Sequence, residues 1–287
     1  LVAPGVLQHA FASDTLPPFD ATWVTIVHDG GRAVAIDPGF RDPADADTLL
    51  AWAARHDVGD IDRILLTHTH RDHVAGLAAL AARLGDPPVH VHPLEADRVP
   101  GDVNVVPTSG DRTLVLGGAT IRTMHTPGHA VGHMAFEVSR GSDEPVGFVA
   151  GDLLTGTGGS WVGLPEGDVR AYVDSVRRVQ ARVPTWLAVA HGPAIDDPRA
   201  ALDAVITHRE ARERALLDAT ERPRRLDDLL DVVYGTVPER VRPWVRAALL
   251  SNLAPLLLER KVQLLGSDED SPYQRTAHDG GAVSRQH

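Results

Sequence analysis

An α/β fold follows from three features of the sequence. β-prone runs alternate with stretches whose apolar residues recur at helical spacing, as in Ala44–His56, Ile61–Leu66 and Val74–Leu84. Strand-like runs repeatedly stop at a His or Asp, namely Asp37, His68, Asp152 and His191, and open α/β sheets carry their sites at such strand ends. At 287 residues and 43% hydrophobic content, the chain can bury a sizeable core, as one large domain or one plus a small appendage.

Taken in order, Leu1–Asp20 lacks a basic start followed by an apolar core, and no run nears the roughly 20 apolar residues of a membrane span. A soluble, cytoplasmic protein with no membrane partner is the expectation. Trp23–Val27 and Ala33–Ile36, joined through His28-Asp29-Gly30-Gly31, predict a β-hairpin, because Asp-Gly-Gly supplies the positive φ of a tight connection. At its exit, Asp37 has two readings: turn chemistry, or an acceptor that orients a metal-bound imidazole.

Ile61–Leu66 feeds directly into Thr67-His68-Thr69-His70-Arg71-Asp72-His73. Three histidines and an aspartate within six positions, at a strand-to-helix junction, are the donor set that zinc takes in hydrolytic sites. With no cysteine in the chain, any metal must sit on imidazole and carboxylate. His90 and His92, on a short strand without an accompanying carboxylate, are expected to face solvent.

Thr113–Val115 and Ala119–Thr123 predict paired strands, followed by His125-Thr126-Pro127-Gly128-His129-Ala130-Val131-Gly132-His133, a loop that Pro and Gly keep irregular. Met134–Val138 and Val146–Ala150 return to β character before Gly151-Asp152. Gly156–Gly163 is glycine-rich and lacks the Lys-Ser/Thr ending of a phosphate loop, so a mobile substrate-facing segment is expected. Asp168 caps a helix to Arg182, in which Tyr172 and Ser175 are read as packing residues. Trp186–Ala190 is a strand that stops at His191, and Asp197-Pro198 opens a long helix to Thr220. From Pro223 the pattern predicts two helices and a short β segment. Ser267–His287 is polar and expected to be disordered. The expected division is 1–200 catalytic, 201–266 a small helical or winged-helix-like domain, and 267–287 a tail.

The formal charge of −11 is uneven. Residues 1–200 carry 15 Lys+Arg against 25 Asp+Glu, whereas 201–262 carry 11 against 10. That balance weakens a nucleic-acid substrate without excluding one, and fits a small acyl compound better.

In combination and in order, Thr67–His73, Thr126-Pro127-Gly128-His129, Gly151-Asp152 and His191-Gly192 resemble the metallo-β-lactamase superfamily, in the branch that includes glyoxalase II. Less specifically, the segments around Gly192–Arg209, Val233–Gly235 and Leu253–Val262 are similar to the lactamase-β-like protein 2 branch, which appends a winged-helix-like domain. The resemblance implies a four-layer αββα sandwich and two zinc ions, with iron or manganese as alternatives. The first would be held by His68, His70 and His129, the second by Asp72, His73 and His191, with Asp152 bridging. Asp72 would align the nucleophile, and His133 would bond substrate or the bridging network. The implied activity is hydrolysis of a thioester or ester. The alternatives are a metal-dependent endoribonuclease or phosphodiesterase on single-stranded RNA, and an iron-dependent dioxygenase of the persulfide type.

Overall fold

The computed structural model describes residues 1–141, 146–268 and 271–276. Backbone contacts divide the chain into two units, residues 1–162 with 166–207, and residues 163–165 with 208–287.

The first unit begins with β1 (Val6–Ala12), β2 (Ala21–Asp29) and β3 (Arg32–Ile36), paired antiparallel in register Leu7↔Ile26 and Ile26↔Ala35. After α1 (Asp45–Ala54) comes β4 (Asp60–Leu65), parallel to β3. α2 (Arg71–Val74) and α3 (Leu77–Leu84) lead to β5 (Val89–Val91) and β6 (Val105–Pro107), which complete a six-stranded sheet of order β1-β2-β3-β4-β5-β6. The single helix expected over Val74–Leu84 is instead two, separated at Ala75-Gly76, where the Gly76 N–H donates to the Pro38 carbonyl (2.8 Å).

β7 (Thr113–Leu116), β8 (Ala119–His125), β9 (Met134–Arg140) and β10 (Gly147–Gly151) form the second sheet. A small hairpin, β11 (Leu154–Thr155) with β12 (Gly158–Gly159), precedes α4 (Val169–Gln180), and β13 (Leu187–Val189) then pairs parallel to β10. The second sheet therefore runs β13-β10-β9-β8-β7.

Three apolar layers hold these elements together. Leu49 of α1 and Leu77 and Leu80 of α3 pack on Ile26, Ala35 and Ile64 of the first sheet. Val34, Ile36 and Leu65 from that sheet meet Ile121, Phe136 and Val149 of the other. On the far side, Tyr172, Val176 and Val179 of α4 cover Phe148 and Leu187, together with Leu202 and Val205 of α5 (Pro198–Ala219). Strand alternation directs apolar residues to both faces of each sheet, so both must be covered. The order is helix, sheet, sheet, helix.

The second unit takes the later turns of α5, then α6 (Leu226–Tyr234), α7 (Arg242–Leu258) and the antiparallel pair β14 (Val262–Leu264) with β15 (Tyr273–Arg275). Its core is Leu216, Leu226, Leu229, Leu230, Leu249, Leu253 and Leu256, with Val262 and Tyr273. Strand β15 corrects the expectation of disorder from Ser267 onward. Tyr273 is 2% exposed and exchanges two backbone hydrogen bonds with Arg224, so one buried aromatic orders a polar stretch. Residues 277–287 of that expected tail lie outside the described residues. No helix among the described residues is long and apolar enough to cross a membrane.

Candidate metal centre

The segment Thr67–His73 leaves the end of β4 and turns into α2. Its path is set by Asp37, at the end of β3, whose backbone sits at φ 53°. One carboxylate oxygen of Asp37 accepts the Thr67 N–H (2.8 Å); the other accepts the Thr67 hydroxyl (2.6 Å) and the His73 Nδ1–H (2.9 Å). Of its two open readings, the structure shows the orienting acceptor. Gly39 lets the chain pass here, since any Cβ at that position would lie 1.6 Å from the Asp72 carbonyl oxygen.

His129 comes from the loop after β8, Asp152 from the turn after β10 and His191 from the segment after β13. All seven expected ligands converge. Three groups of side chains each offer ligand atoms within 4.8 Å of one another: His68, His70 and His129; His68, His73 and Asp152; and Asp72, His73 and His191. Asp152 lies between the outer two, with Oδ1 3.4 Å from His73 Nε2 and 3.3 Å from His191 Nε2, and Oδ2 3.4 Å from His129 Nε2.

Four of the imidazoles are anchored by one nitrogen, with the other turned toward the remaining donors. His68 Nδ1–H donates to the Thr67 hydroxyl oxygen (3.0 Å), His129 Nδ1–H to the Trp161 carbonyl (2.7 Å) and His191 Nδ1–H to the Ala21 carbonyl (3.1 Å). Their other nitrogens point inward, and His68 Nε2, His73 Nε2 and Asp152 Oδ1 are buried without a hydrogen-bond partner. Buried polar atoms are rarely left unpaired, because each costs about 1–3 kcal/mol. Lone pairs aimed at one space from rings locked behind are what a cation requires, so the donor set fits a metal.

Electrostatics agree. Burial drives the His68 pKa well below its ordinary value, aided by His73 and His70, and takes His129 down to about 4. Both are neutral donors at pH 7. Burial also opposes charge on His73, yet Asp152, Asp37 and Asp72 hold its pKa well above the ordinary value. Burial opposes charge on His191 as well, and Asp152 and Asp72 raise its pKa above the ordinary value. Asp72 falls to about 2: burial works against this, and His73 and His191 outweigh it.

Of the two expected contacts for His133, substrate or the bridging network, the structure shows one with the residue expected to bridge. His133 is fully buried, its Nε2 accepts the Asp152 N–H (3.1 Å) and its Nδ1–H donates to the Thr126 hydroxyl (2.8 Å), so neither nitrogen can reach substrate. It positions Asp152. His92 does not face solvent, and His90 is half-buried. His90 Nδ1 bonds Thr108 Oγ1 (2.9 Å), and the buried His92 ring stacks on His125 at 4.0 Å. The Gly156–Gly163 stretch begins in the β11–β12 hairpin and runs on to Trp161, whose carbonyl holds His129, with the Ser160 N–H donating to the Tyr172 hydroxyl (3.2 Å). Tyr172 and Ser175 pack as read, and each also makes a hydrogen bond, to the Leu153 carbonyl (2.6 Å) and the Pro127 carbonyl (2.8 Å). Sequence reasoning missed Glu95, a buried carboxylate that accepts the Thr69 hydroxyl and the Gly132 N–H (3.0 Å); its acidic side chain on a short turn gave no signal.

Two sheets with helices outside them, and a His/Asp cradle at their strand ends, define a metal-dependent hydrolase of the metallo-β-lactamase fold. The model of the metallo-beta-lactamase superfamily matches residues 17–191, and the chain belongs to that superfamily. It is 27% identical over 256 residues to a beta-lactamase-like protein 2 homolog of Drosophila melanogaster, covering 85% of each chain. Over 224 residues it is 28% identical to an atrochrysone carboxyl ACP thioesterase of Passalora fulva, covering 76% of this chain and 64% of that protein. A metallo-beta-lactamase family protein from Thermus thermophilus shares the fold with a TM-score of 0.74 at 22% identity, over 96% of this chain and 99% of that one.

Proposed function

We propose that the cradle holds two zinc ions, one on His68, His70 and His129 and one on Asp72, His73 and His191, with Asp152 shared, and that the chain hydrolyses a small acyl thioester or ester. The buried, inward, unpartnered atoms of His68, His73 and Asp152 carry the metal half of this reading. Similarity to an acyl-carrier thioesterase supports the substrate half. Bound zinc would supply an activated water near neutral pH and polarise the scissile carbonyl.

The protein's own groups do the rest. Asp72, a carboxylate at neutral pH, lies 3.3 Å from His191 Nε2 and is placed to accept a proton from the attacking water and align it. Thr67 and Asp37 lock His68 and His73, and His133 locks Asp152, so little reorganisation is left for the reaction. Phe19 stacks on His191 (5.5 Å) and shields that side of the centre from water. The 201–266 region is proposed to be a winged-helix-like domain.

The test is a panel of acyl thioesters, lactones, phosphodiesters and single-stranded RNA on metal-quantified protein, with Asp72→Ala as control. Thioester turnover with two zinc equivalents, lost in the control, is expected. Turnover confined to RNA, or one iron equivalent with oxygen uptake, overturns the proposal.

A further inference from the structure

We infer that Glu166 is a positioning residue for His70, and that a charged chain of Glu166, Arg98 and Glu95 makes one half of the metal centre depend on an outer ion pair. The inference rests on the metal reading above. His68, His73, His129 and His191 are each fixed from behind by a buried carboxylate, a hydroxyl or a backbone carbonyl. His70 has none of these among the described residues. Its side chain is 33% exposed, its Nδ1 faces His129 Nε2 at 3.0 Å, and its Nε2 looks outward to Glu166 Oε2 at 3.6 Å. That oxygen is itself buried and has no hydrogen-bond partner among the described residues. An outward ring nitrogen thus stands opposite an orphaned carboxylate oxygen, just beyond hydrogen-bond length. A cation held on Nδ1 would leave the ring proton on Nε2, making it a donor toward that oxygen.

The carboxylate is held in turn. Arg98 Nη1 donates to the other oxygen of Glu166 and lies 3.9 Å from Glu95 Oε2. Glu95, 1% exposed, ties together the two ligand-bearing segments by accepting from Thr69, between His68 and His70, and from Gly132, between His129 and His133. The packing leaves no slack: a Cβ at Gly132 would lie 2.6 Å from Glu95 Cγ and 3.1 Å from His92 Nδ1. The three acidic and basic groups therefore converge on the His68–His70–His129 triad and leave the Asp72–His73–His191 triad untouched.

The test is a cobalt(II) titration of the full chain against a competing chelator, for the wild type, Glu166→Ala, Glu166→Gln and Arg98→Met, with circular dichroism to confirm folding. One of the two equivalents should weaken by about 10–100-fold in Glu166→Ala, with the other unchanged. Glu166→Gln, which keeps an acceptor oxygen, should recover part of the loss, and Arg98→Met should reproduce a smaller version of it. In the cobalt form, the shifted exchangeable signal of the His70 Nε2–H, assigned by its absence in His70→Ala, should exchange faster in Glu166→Ala. Unchanged affinity at both equivalents, or equal weakening of both, overturns the inference while leaving the metal reading intact. A folded wild-type protein that takes up no cobalt overturns both.

Discussion

The first unit holds two clusters of histidines that look alike in composition and differ in how their nitrogens are used. In one, His92 Nδ1 accepts the Leu94 N–H (3.3 Å), His125 Nε2–H donates to the Val131 carbonyl (3.0 Å), and the rings stack nearly parallel, 15° apart. None of their nitrogens is buried and unpartnered among the described residues. In the other, the rings are tied down at one nitrogen while His68 Nε2 and His73 Nε2 are left orphaned toward a common space. Residue type does not mark a metal centre. What marks it is a set of rings satisfied on one side and deprived on the other, an arrangement whose cost a cation offsets.

The largest expected contrast is Asp152→Ala, which removes the carboxylate facing His73, His129 and His191. Turnover should fall to background and at least one metal equivalent should be lost on quantification. Full turnover would show that the shared carboxylate is dispensable. Next comes Asp37→Ala, which touches no substrate but frees Thr67 and His73 together. Chelator competition should read roughly a 10–100-fold loss of metal affinity, and the metal-free protein should lose about 1–3 kcal/mol in denaturant melts.

One histidine from each cluster should answer pH with opposite signs. In metal-free protein, burial disfavours the charged form of His73 but three carboxylates raise its pKa well above 6.5. The stability it contributes is present below 6.5 and fades as pH rises through the folded value. His92, pushed to about 4 by burial and then by His125, resists protonation in the fold. Its contribution is present above 6.5 and fades as pH falls from 6.5 toward 4. A histidine NMR titration checks both, and added zinc should abolish the His73 titration while leaving that of His92 in place. The smallest effect is His92→Phe, which keeps a stacking ring and loses one hydrogen bond. It should cost on the order of 1 kcal/mol in thermal melts, with metal content unchanged.

Much of the fold was legible because local signals agreed with tertiary demands. The Asp29-Gly30-Gly31 hairpin, the Asp168 cap that accepts the Ala171 N–H (3.0 Å) and the Asp197 cap that accepts the Ala200 N–H (3.0 Å) all need only neighbours in sequence. Donors at strand ends made a shared edge legible, and the full set of seven came from the resemblance of the motifs in combination. What escaped was set by distant contacts. The break at Gly76 depends on Pro38, the order of Tyr273 on Arg224, and the inward turn of His133 on Asp152 and Thr126. The fate of His92 likewise depended on a partner 33 positions away in the chain, and no periodicity reveals such a stack.

Thr67 has one more role. Beyond its bonds to Asp37 and His68, its carbonyl accepts the Met134 N–H (2.7 Å), so this single threonine joins the edge of one sheet to the first residue of β9 in the other. The cradle therefore cannot exist on either sheet alone. Each sheet alone carries only part of the donor set: Thr67–His73 follows β4 of one, and His129, Asp152 and His191 follow β8, β10 and β13 of the other.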